Sequence, residues 1–258
     1  MHLQVGNLTY SYGDKNAVDN VCLHVNRGEF VGLIGPNGSG KTTVLKNLYR
    51  ALKPDKGNLL LDCEDILSLS NKKAALKLGV VGQENDVTFD FLVEEIVAMG
   101  RSPHKSLFEF DNDYDKYMVK HALEHLGMEH MAKRDYQNLS GGEKQRVIIA
   151  RVIAQESDLL LLDEVTNHLD INYQMQILDF VKRLKLTVLS SMHDLNMAAL
   201  YCDRIYVLKE GMVVLHGTPE EVFTPENILN VYGVNCDVIT HPVTGKISIT
   251  YLPSEAGG

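Results

Sequence analysis

The chain lacks the features that mark secreted, membrane-spanning or disulfide-bonded proteins. Its four cysteines stand far apart and form no C-x-x-C pair, which argues against a disulfide framework or a zinc site. No segment approaches the roughly 20 consecutive apolar residues that a membrane-spanning helix needs, and the N-terminus has no charged flank followed by an apolar run. We therefore expect buried thiols in a reduced cytoplasmic protein; the four residues are Cys22, Cys63, Cys202 and Cys236.

Basic residues are also scarce. The chain has 25 lysines and arginines against 34 aspartates and glutamates, a formal net charge of -9. This balance disfavours a nucleic-acid-binding surface, so no nucleic acid partner is expected. Hydrophobic residues make up 45% of the 258 positions and the seven prolines are scattered, which predicts a globular protein with a sizeable core.

One glycine-rich stretch carries the first chemical signal. Short strands are predicted at 8–12, 21–25 and 29–35, and the third runs directly into GPNGSGKTT. Apolar residues at helical spacing from Val44 to Leu52 predict a helix after it. Strand, glycine loop and helix are the context that a phosphate-binding P-loop requires. The nine residues of the stretch are Gly35, Pro36, Asn37, Gly38, Ser39, Gly40, Lys41, Thr42 and Thr43.

The residue types in this loop predict bound ATP and Mg²⁺. Backbone amides from Gly38 to Thr42 would surround the phosphates, and Lys41 would bridge the β and γ phosphates. The hydroxyl of Thr42 would bind the metal ion.

The segment LLLLDE supplies a second part of the same chemistry. A continuous apolar run at 159–162 predicts a buried parallel strand that ends in Asp163, whose carboxylate can reach Mg²⁺. Glu164 follows at once and is the candidate that polarises the attacking water. His193 comes directly after another predicted strand, 187–192, which places it at the carboxyl edge of the sheet where α/β proteins bind ligands.

A second phosphate-binding element lies about a hundred residues after the first. In LSGGE, Ser140 is followed three residues later by Glu143, which predicts a capping box at the start of a helix. A helix start with glycine amides favours anions. Helical patterns at 91–99, 114–126 and 144–154, with no convincing strand between them, predict a helical insertion in an α/β domain.

Taken together, GPNGSGKTT, LSGGE and LLLLDE resemble the nucleotide-binding subunit of an ABC transporter over nearly the whole chain. The resemblance implies an α/β fold: a P-loop NTPase core with an N-terminal antiparallel β subdomain and an inserted α-helical subdomain. We expect a single domain over 1–258, with the core and β subdomain at about 1–85 and 158–258 and the helical subdomain at about 86–157.

The resemblance also implies roles for further residues. Tyr12 matches the aromatic that stacks on adenine, although Tyr10 competes for the role. Gln83 matches the glutamine that touches Mg²⁺ and senses the membrane partner. Asp170, in NHLD, matches the D-loop, and His193 matches the switch histidine near the γ-phosphate. Val165 stands where the family usually has proline, which removes no catalytic group.

The resemblance to this family implies a role for the second phosphate-binding element. Two such subunits pack head to tail, so Ser140, Gly141 and Gly142 would address the γ-phosphate of the partner's ATP. A homodimer is therefore expected. The motifs GRSPH (100–104), TNHLDI, MHDLNMAALYCDRIYVLKEG and GTPEEVFTPENILNVYG resemble ATPases of importers for ferric siderophores, haem and cobalamin.

This subclass implies an ATPase on the inner face of the cell membrane, bound to polytopic permease subunits and acting indirectly with an extracytoplasmic substrate-binding protein. Two alternatives stay open: a non-transport ABC ATPase such as an iron–sulfur assembly subunit, and a generic P-loop NTPase switch.

His121 and His125 lie four apart on a predicted helix, and without a third ligand we interpret them as a solvated face.

Overall fold

The computed structural model describes residues 2–82, 90–106, 109–165 and 170–253. Within these residues the chain forms twelve β-strands and nine α-helices. The strands are β1 (Leu3–Tyr12), β2 (Lys15–Val25), β3 (Phe30–Ile34), β4 (Lys56–Leu61), β5 (Glu64–Asp65), β6 (Leu78–Val81), β7 (Leu159–Asp163), β8 (Thr187–Ser191), β9 (Arg204–Lys209), β10 (Met212–Gly217), β11 (Cys236–Thr240) and β12 (Ile247–Tyr251). The helices are α1 (Lys41–Leu48), α2 (Asn71–Lys77), α3 (Val93–Ala98), α4 (Asp113–His125), α5 (Gly141–Ala154), α6 (Ile171–Arg183), α7 (Leu195–Tyr201), α8 (Pro219–Val222) and α9 (Pro225–Tyr232).

Contacts group the chain into two units. One unit contains Met1–Ser68 and Thr187–Gly258, and the other contains Leu69–Leu186. The second unit holds β6 and β7 as well as the helices α2 to α6. It is therefore wider than the helical subdomain expected at about 86–157, whose limits stay a prediction.

The first unit contains an antiparallel sheet in the order β2, β1, β4, β5. Its first two strands are longer than the sequence pattern predicted, because pairing already begins with Leu3 opposite Val25. Alternating residues of β1 and β2 are buried, as expected for a sheet with one face against the core.

A second set of strands in this unit runs in the order β10, β9, β3, β8. The strand β3 pairs in parallel with both β8 and β9, and every residue of β3 and β8 is buried. Both segments are predicted strands, and burial on both faces is typical of parallel sheets. The segment RIYVLKEGMVVLHG predicts a hairpin with its turn at Glu210 and Gly211. The strands β9 and β10 form this hairpin, and both turn residues have positive φ, which confirms the prediction.

The pairs Thr218-Pro219 and Thr224-Pro225 predict two helix starts, with threonine as N-cap and proline at the first helical position, and both are confirmed. The hydroxyls of Thr218 and Thr224 cap α8 and α9, and a proline occupies the first helical position of each. A final hairpin joins β11 and β12.

The second unit combines a parallel strand pair with packed helices. The strands β6 and β7 pair in parallel, and all five residues of β7 are buried. The helices α3, α4 and α5 contact one another, and a 3₁₀ helix, Met99–His104, follows α3. Among the described residues, no helix combines the length and apolar composition needed to span a bilayer.

Two expectations were wrong. Cys22 and Cys63 are exposed, whereas Cys202 and Cys236 are buried as expected. Cys22 lies on the outward face of β2 and Cys63 in a turn after β4, so neither position faces the core. The first helix ends at Leu48 rather than near Leu52, because the chain turns at Arg50, whose φ is 66°.

Candidate functional site

The glycine-rich loop joins the buried strand β3 to the helix α1, as the motif requires. Gly35 has a φ of 147°, and a Cβ atom there would lie 2.0 Å from the carbonyl oxygen of Leu208. Gly40 has a φ of 105°, and a Cβ atom there would lie 2.7 Å from the carbonyl oxygen of Ala17. Only glycine fits either position, so the path of the loop depends on both.

The start of α1 is built to face an anion. Gly40 stands at the N-cap and provides no side-chain oxygen to the first amides of the helix. Lys41 is only 4% exposed, and its Nζ donates to the carbonyl oxygens of Gly35 at 2.9 Å and Pro36 at 3.2 Å. Helix-start amides and a lysine held beside them favour phosphate.

Ser39 supplies an independent sign that this loop fits a ligand. Its side chain is buried, and within the described residues its Oγ has no hydrogen-bond partner. A buried hydroxyl without a partner is costly, and a phosphate oxygen would satisfy it. Of the remaining loop residues, Asn37 and Gly38 are exposed, Pro36 and Thr42 are partly exposed, and Thr43 is buried.

His193 lies at the same edge of the first unit as the P-loop. In the parallel pairing of β3 with β8, Leu33 is opposite Ser191, so Gly35 and His193 each stand two residues beyond a matched pair. The next residue, Asp194, caps α7 by accepting from the amides of Asn196 and Met197. The imidazole is therefore exposed on a short turn whose geometry a helix cap fixes.

The two carboxylates of LLLLDE lie in the second unit. Asp163 ends β7 and is 2% exposed, whereas Glu164 is partly exposed. Glu164 has a φ of 55°, an uncommon conformation for a residue other than glycine, so the extended backbone of β7 ends directly before it. Val165, at the family's usual proline position, is buried.

The segment LSGGE at 139–143, the second phosphate-binding element, is called the signature element below, and it forms the capping box that the sequence predicted. The Ser140 hydroxyl donates to Oε2 of Glu143 at 2.7 Å, and the Ser140 amide donates to the same oxygen at 2.8 Å. The hydrogen bond from the Ser140 side chain is the main reason why the pKa of Glu143 lies below its ordinary value. Ser140 and Gly141 are exposed, and a Cβ atom on Gly141 would meet nothing within 4 Å.

Tyr173 connects Asp170 with the signature element. It caps α6 by accepting from the amide of Tyr173 at 3.0 Å. A Cβ atom on Gly142 would lie 3.4 Å from Cδ2 of Tyr173, and the guanidinium of Arg146 lies 5.2 Å from the centre of the same ring. Tyr173 thus donates to Asp170 through its amide and lies against Gly142 through its ring. Sequence reasoning missed Tyr173 because nothing in its spacing marks it.

The tyrosines expected near adenine differ in exposure. Tyr12 is 53% exposed at the end of β1, and Tyr10 is less exposed. Their ring centres lie 5.0 Å apart in an edge-to-face arrangement. Tyr12 therefore offers the freer aromatic face for stacking.

Three predictions concern metal binding. Thr42 and Asp163 provide hydroxyl and carboxylate oxygens, the donors that Mg²⁺ prefers. Gln83 lies outside the described residues, as do Asn167, His168 and Leu169 of NHLD. In the described part of the chain, no three His, Cys, Asp or Glu side chains cluster with metal-ligand geometry. The Nε2 atoms of His121 and His125 lie 2.9 Å apart, within hydrogen-bonding distance.

Comparison with known proteins places these motifs in a family. Residues 18–167 match the family described as ABC transporter. The chain is 38% identical over 253 residues to the ferric enterobactin transport ATP-binding protein FepC of Escherichia coli strain K12, covering 96% of this chain and 93% of the relative. It is also 37% identical to the cobalamin import ATP-binding protein BtuD of Halobacterium salinarum, covering 99% of this chain and 65% of that longer relative.

A solved structure agrees with the fold. An inward-facing metal-chelate type ABC transporter superposes with a TM-score of 0.84 at 27% sequence identity, covering 98% of this chain and 97% of the other. The expected α/β fold with a P-loop NTPase core is confirmed. The chain belongs to the ABC transporter family, as one of its ATP-binding subunits.

Proposed function

We propose that the chain hydrolyses ATP to power a membrane importer of metal chelates. The observation that carries the cargo class is the similarity to FepC over nearly the full length of both chains. FepC is named for ferric enterobactin and BtuD for cobalamin, so iron–siderophore and cobalamin complexes are candidate cargoes. Haem complexes are a third candidate, which the motif resemblance alone implies. Both relatives are named for transport, and we therefore prefer import to iron–sulfur assembly.

The P-loop is the proposed binding site for the ATP phosphates. Lys41 offsets their negative charge, while the first amides of α1 and the Ser39 hydroxyl donate to phosphate oxygens. Tyr12 stacks on adenine.

Mg²⁺ would be held by Thr42 and Asp163, with Gln83 as a third ligand. When bound, the ion supplies Lewis-acid stabilisation of phosphate charge. Glu164 accepts a proton from the attacking water, and His193 donates to the γ-phosphate.

The signature element is proposed to contact the ATP that a second copy of the chain holds. Ser140, Gly141 and Gly142 would contact the γ-phosphate of ATP bound to the partner's P-loop, with Asp170 beside the same interface. ATP then favours the closed dimer through its differential affinity for that state, and hydrolysis removes the bridging group. The homodimer would act on polytopic permease subunits at the inner membrane face and indirectly on an extracytoplasmic binding protein.

Glu164→Gln tests the hydrolytic assignment. The amide cannot take the proton, so turnover should fall by about 100-fold or more while ATP binding persists and an ATP-dependent dimer accumulates. Phosphate release and size-exclusion chromatography with and without ATP measure the two effects. Turnover at the wild-type rate would remove Glu164 from this role.

A purification experiment tests the transport assignment. The tagged chain, extracted in detergent, should recover a polytopic membrane partner. The binding protein that works with that partner can then be assayed for iron chelate, haem and cobalamin. Recovery of soluble scaffold proteins in place of a membrane partner would contradict import.

A further inference from the structure

The segment Gly100–His104 has the sequence GRSPH and carries none of the catalytic groups assigned above. It forms most of the 3₁₀ helix Met99–His104 in the second unit. Three of its five residues contact one feature, the C-terminal turn of α5. This helix begins beside Ser140, so we call it the signature helix.

Gly100 brings the segment against the backbone of the signature helix. It is buried, and a Cβ atom there would lie 2.1 Å from the carbonyl oxygen of Arg151. Real Cβ atoms do not approach a carbonyl oxygen so closely, so any other residue would push the segment away. Glycine is therefore required here for close approach rather than for its conformation.

Arg101 binds the end of the helix. Its side chain is 2% exposed, and Nη1 donates to the carbonyl oxygen of Ala154, the last helical residue, at 2.6 Å. The last carbonyl oxygens of a helix accept no hydrogen bond from an amide of the same helix, and they carry partial negative charge. A guanidinium at this position satisfies both the hydrogen bond and the charge.

Two carboxylates hold this guanidinium in place. Nε donates to Asp115 at 2.9 Å, and Nη1 also donates to Glu156 at 2.7 Å. Asp115 is buried and belongs to the capping box of α4, while Glu156 follows the signature helix with a φ of 53°. The buried arginine therefore ties the end of the signature helix to the start of α4.

His104 and Gln155 complete the attachment. Nε2 of His104 lies 2.8 Å from the carbonyl oxygen of Gln155, so this nitrogen carries the proton and donates it. The Gln155 side-chain amide donates to the carbonyl oxygens of Ala75 and Leu78, at the junction of α2 and β6. The helix end is thus fixed on two sides.

We infer that Gly100, Arg101 and His104 form a C-terminal cap that positions the signature helix for its contact with the partner's ATP. The inference rests on the proposed function. The helix is 14 residues long, about 21 Å, and a rod of that length transmits a tilt at Ala154 to Ser140. Hydrogen bonds to a γ-phosphate tolerate little displacement, so the cap acts on closure without touching nucleotide.

Glu164→Gln provides the background for the test, because it should accumulate as an ATP-dependent dimer. In this background His104→Ala should raise the ATP concentration needed for half-maximal dimer by roughly fivefold, the effect of one lost hydrogen bond. Arg101→Met should raise it by about 50-fold. His104→Gln keeps an amide donor and should behave like its parent. Arg27→Met is the neutral control, because Arg27 is 66% exposed and its ion pair with Asp62 lies at the surface of the first unit.

Fluorescent-nucleotide binding to the monomer and the melting temperature separate positioning from folding. His104 is exposed, so His104→Ala should leave both unchanged while shifting dimer formation. If Arg101→Met does not fold because Asp115 loses its partner, His104→Ala and His104→Gln still decide the matter. Dimer formation by His104→Ala at the parent's ATP concentration would overturn the cap. Absence of a dimer in Glu164→Gln itself would instead contradict the proposed function.

Discussion

The P-loop and the signature element both present a helix start with glycine amides, yet they are prepared for phosphate in different ways. At the P-loop, the N-cap is Gly40, which has no side chain to cap the first amides, and Lys41 is buried beside them. At the signature element, Ser140 and Glu143 already satisfy each other, and both glycines lie at or near the surface. We therefore propose that the first holds phosphate by itself, whereas the second contacts phosphate that is already held.

The difference in charge supports this interpretation. Lys41 adds a positive charge to the amides of its helix. The signature helix instead carries the carboxylate of Glu143 in its first turn, with its pKa lowered by the Ser140 hydroxyl. An ionised carboxylate weakens the attraction of the helix start for free phosphate. Anion binding there should therefore depend on a second chain.

Lys41→Ala should disable the P-loop, the element that we expect to bind phosphate without a partner chain. Removing the buried ammonium should lower the affinity for ATP, and turnover with it, by about 100-fold or more. Fluorescent-nucleotide titration and phosphate release measure these effects. Lys46→Ala, a partly exposed lysine of the same helix, is the matched control and should bind normally. Equal affinity in Lys41→Ala and Lys46→Ala would refute the assignment.

Ser140→Arg should disable the signature element and leave the P-loop intact. The exposed site can hold the larger residue, so nucleotide binding to the monomer should stay within about twofold. Turnover should fall by about 100-fold, because the side chain blocks the approach of the partner's ATP. Ser106→Arg, at another exposed serine, should change neither quantity. A loss of monomer binding in Ser140→Arg would mean that the two elements act within one chain.

Ser140→Ala measures the cap without blocking the surface. Loss of the N-cap hydroxyl should lower the free energy of unfolding by about 1 kcal/mol. Urea unfolding monitored by circular dichroism gives this value, with Ser106→Ala as control. An unchanged unfolding midpoint would show that the capping box contributes nothing to stability.

The smallest expected effect is a pH dependence of the same cap. Because the pKa of Glu143 is lowered in the folded state from its ordinary 4.5, its contribution to stability is present above that value and is lost as pH falls through the folded-state pKa. The stability difference between wild type and Glu143→Gln should therefore be constant at neutral pH and shrink in acid. A difference independent of pH down to full protonation would contradict this.

Local chemistry made much of the fold predictable. The apolar runs of β3 and β7, the turn at Glu210 and Gly211, and the Ser140 cap were all predicted from adjacent residues. Cys22 shows an avoidable error, because it alternates with the buried Val21 and Leu23 and must therefore face outward.

The cap on the signature helix shows what sequence cannot give. Arg101 meets Ala154 and Glu156, which are more than fifty positions away, and no local pattern links them. The segment GRSPH could be found by resemblance, but its contacts required the structure. Tyr173 beside Gly142 is a similar case, since its proximity depends on how α5 and α6 pack.

A complementation assay tests most directly whether the P-loop of one chain and the signature element of a second chain bind the same ATP. Lys41→Ala and Ser140→Arg, each inactive alone, are mixed at equal concentration and assayed for ATP hydrolysis. In a head-to-tail dimer each mixed pair contains one site with both elements intact, so about a quarter of the wild-type sites should be restored. Turnover no higher than the sum of the separate variants would contradict the account.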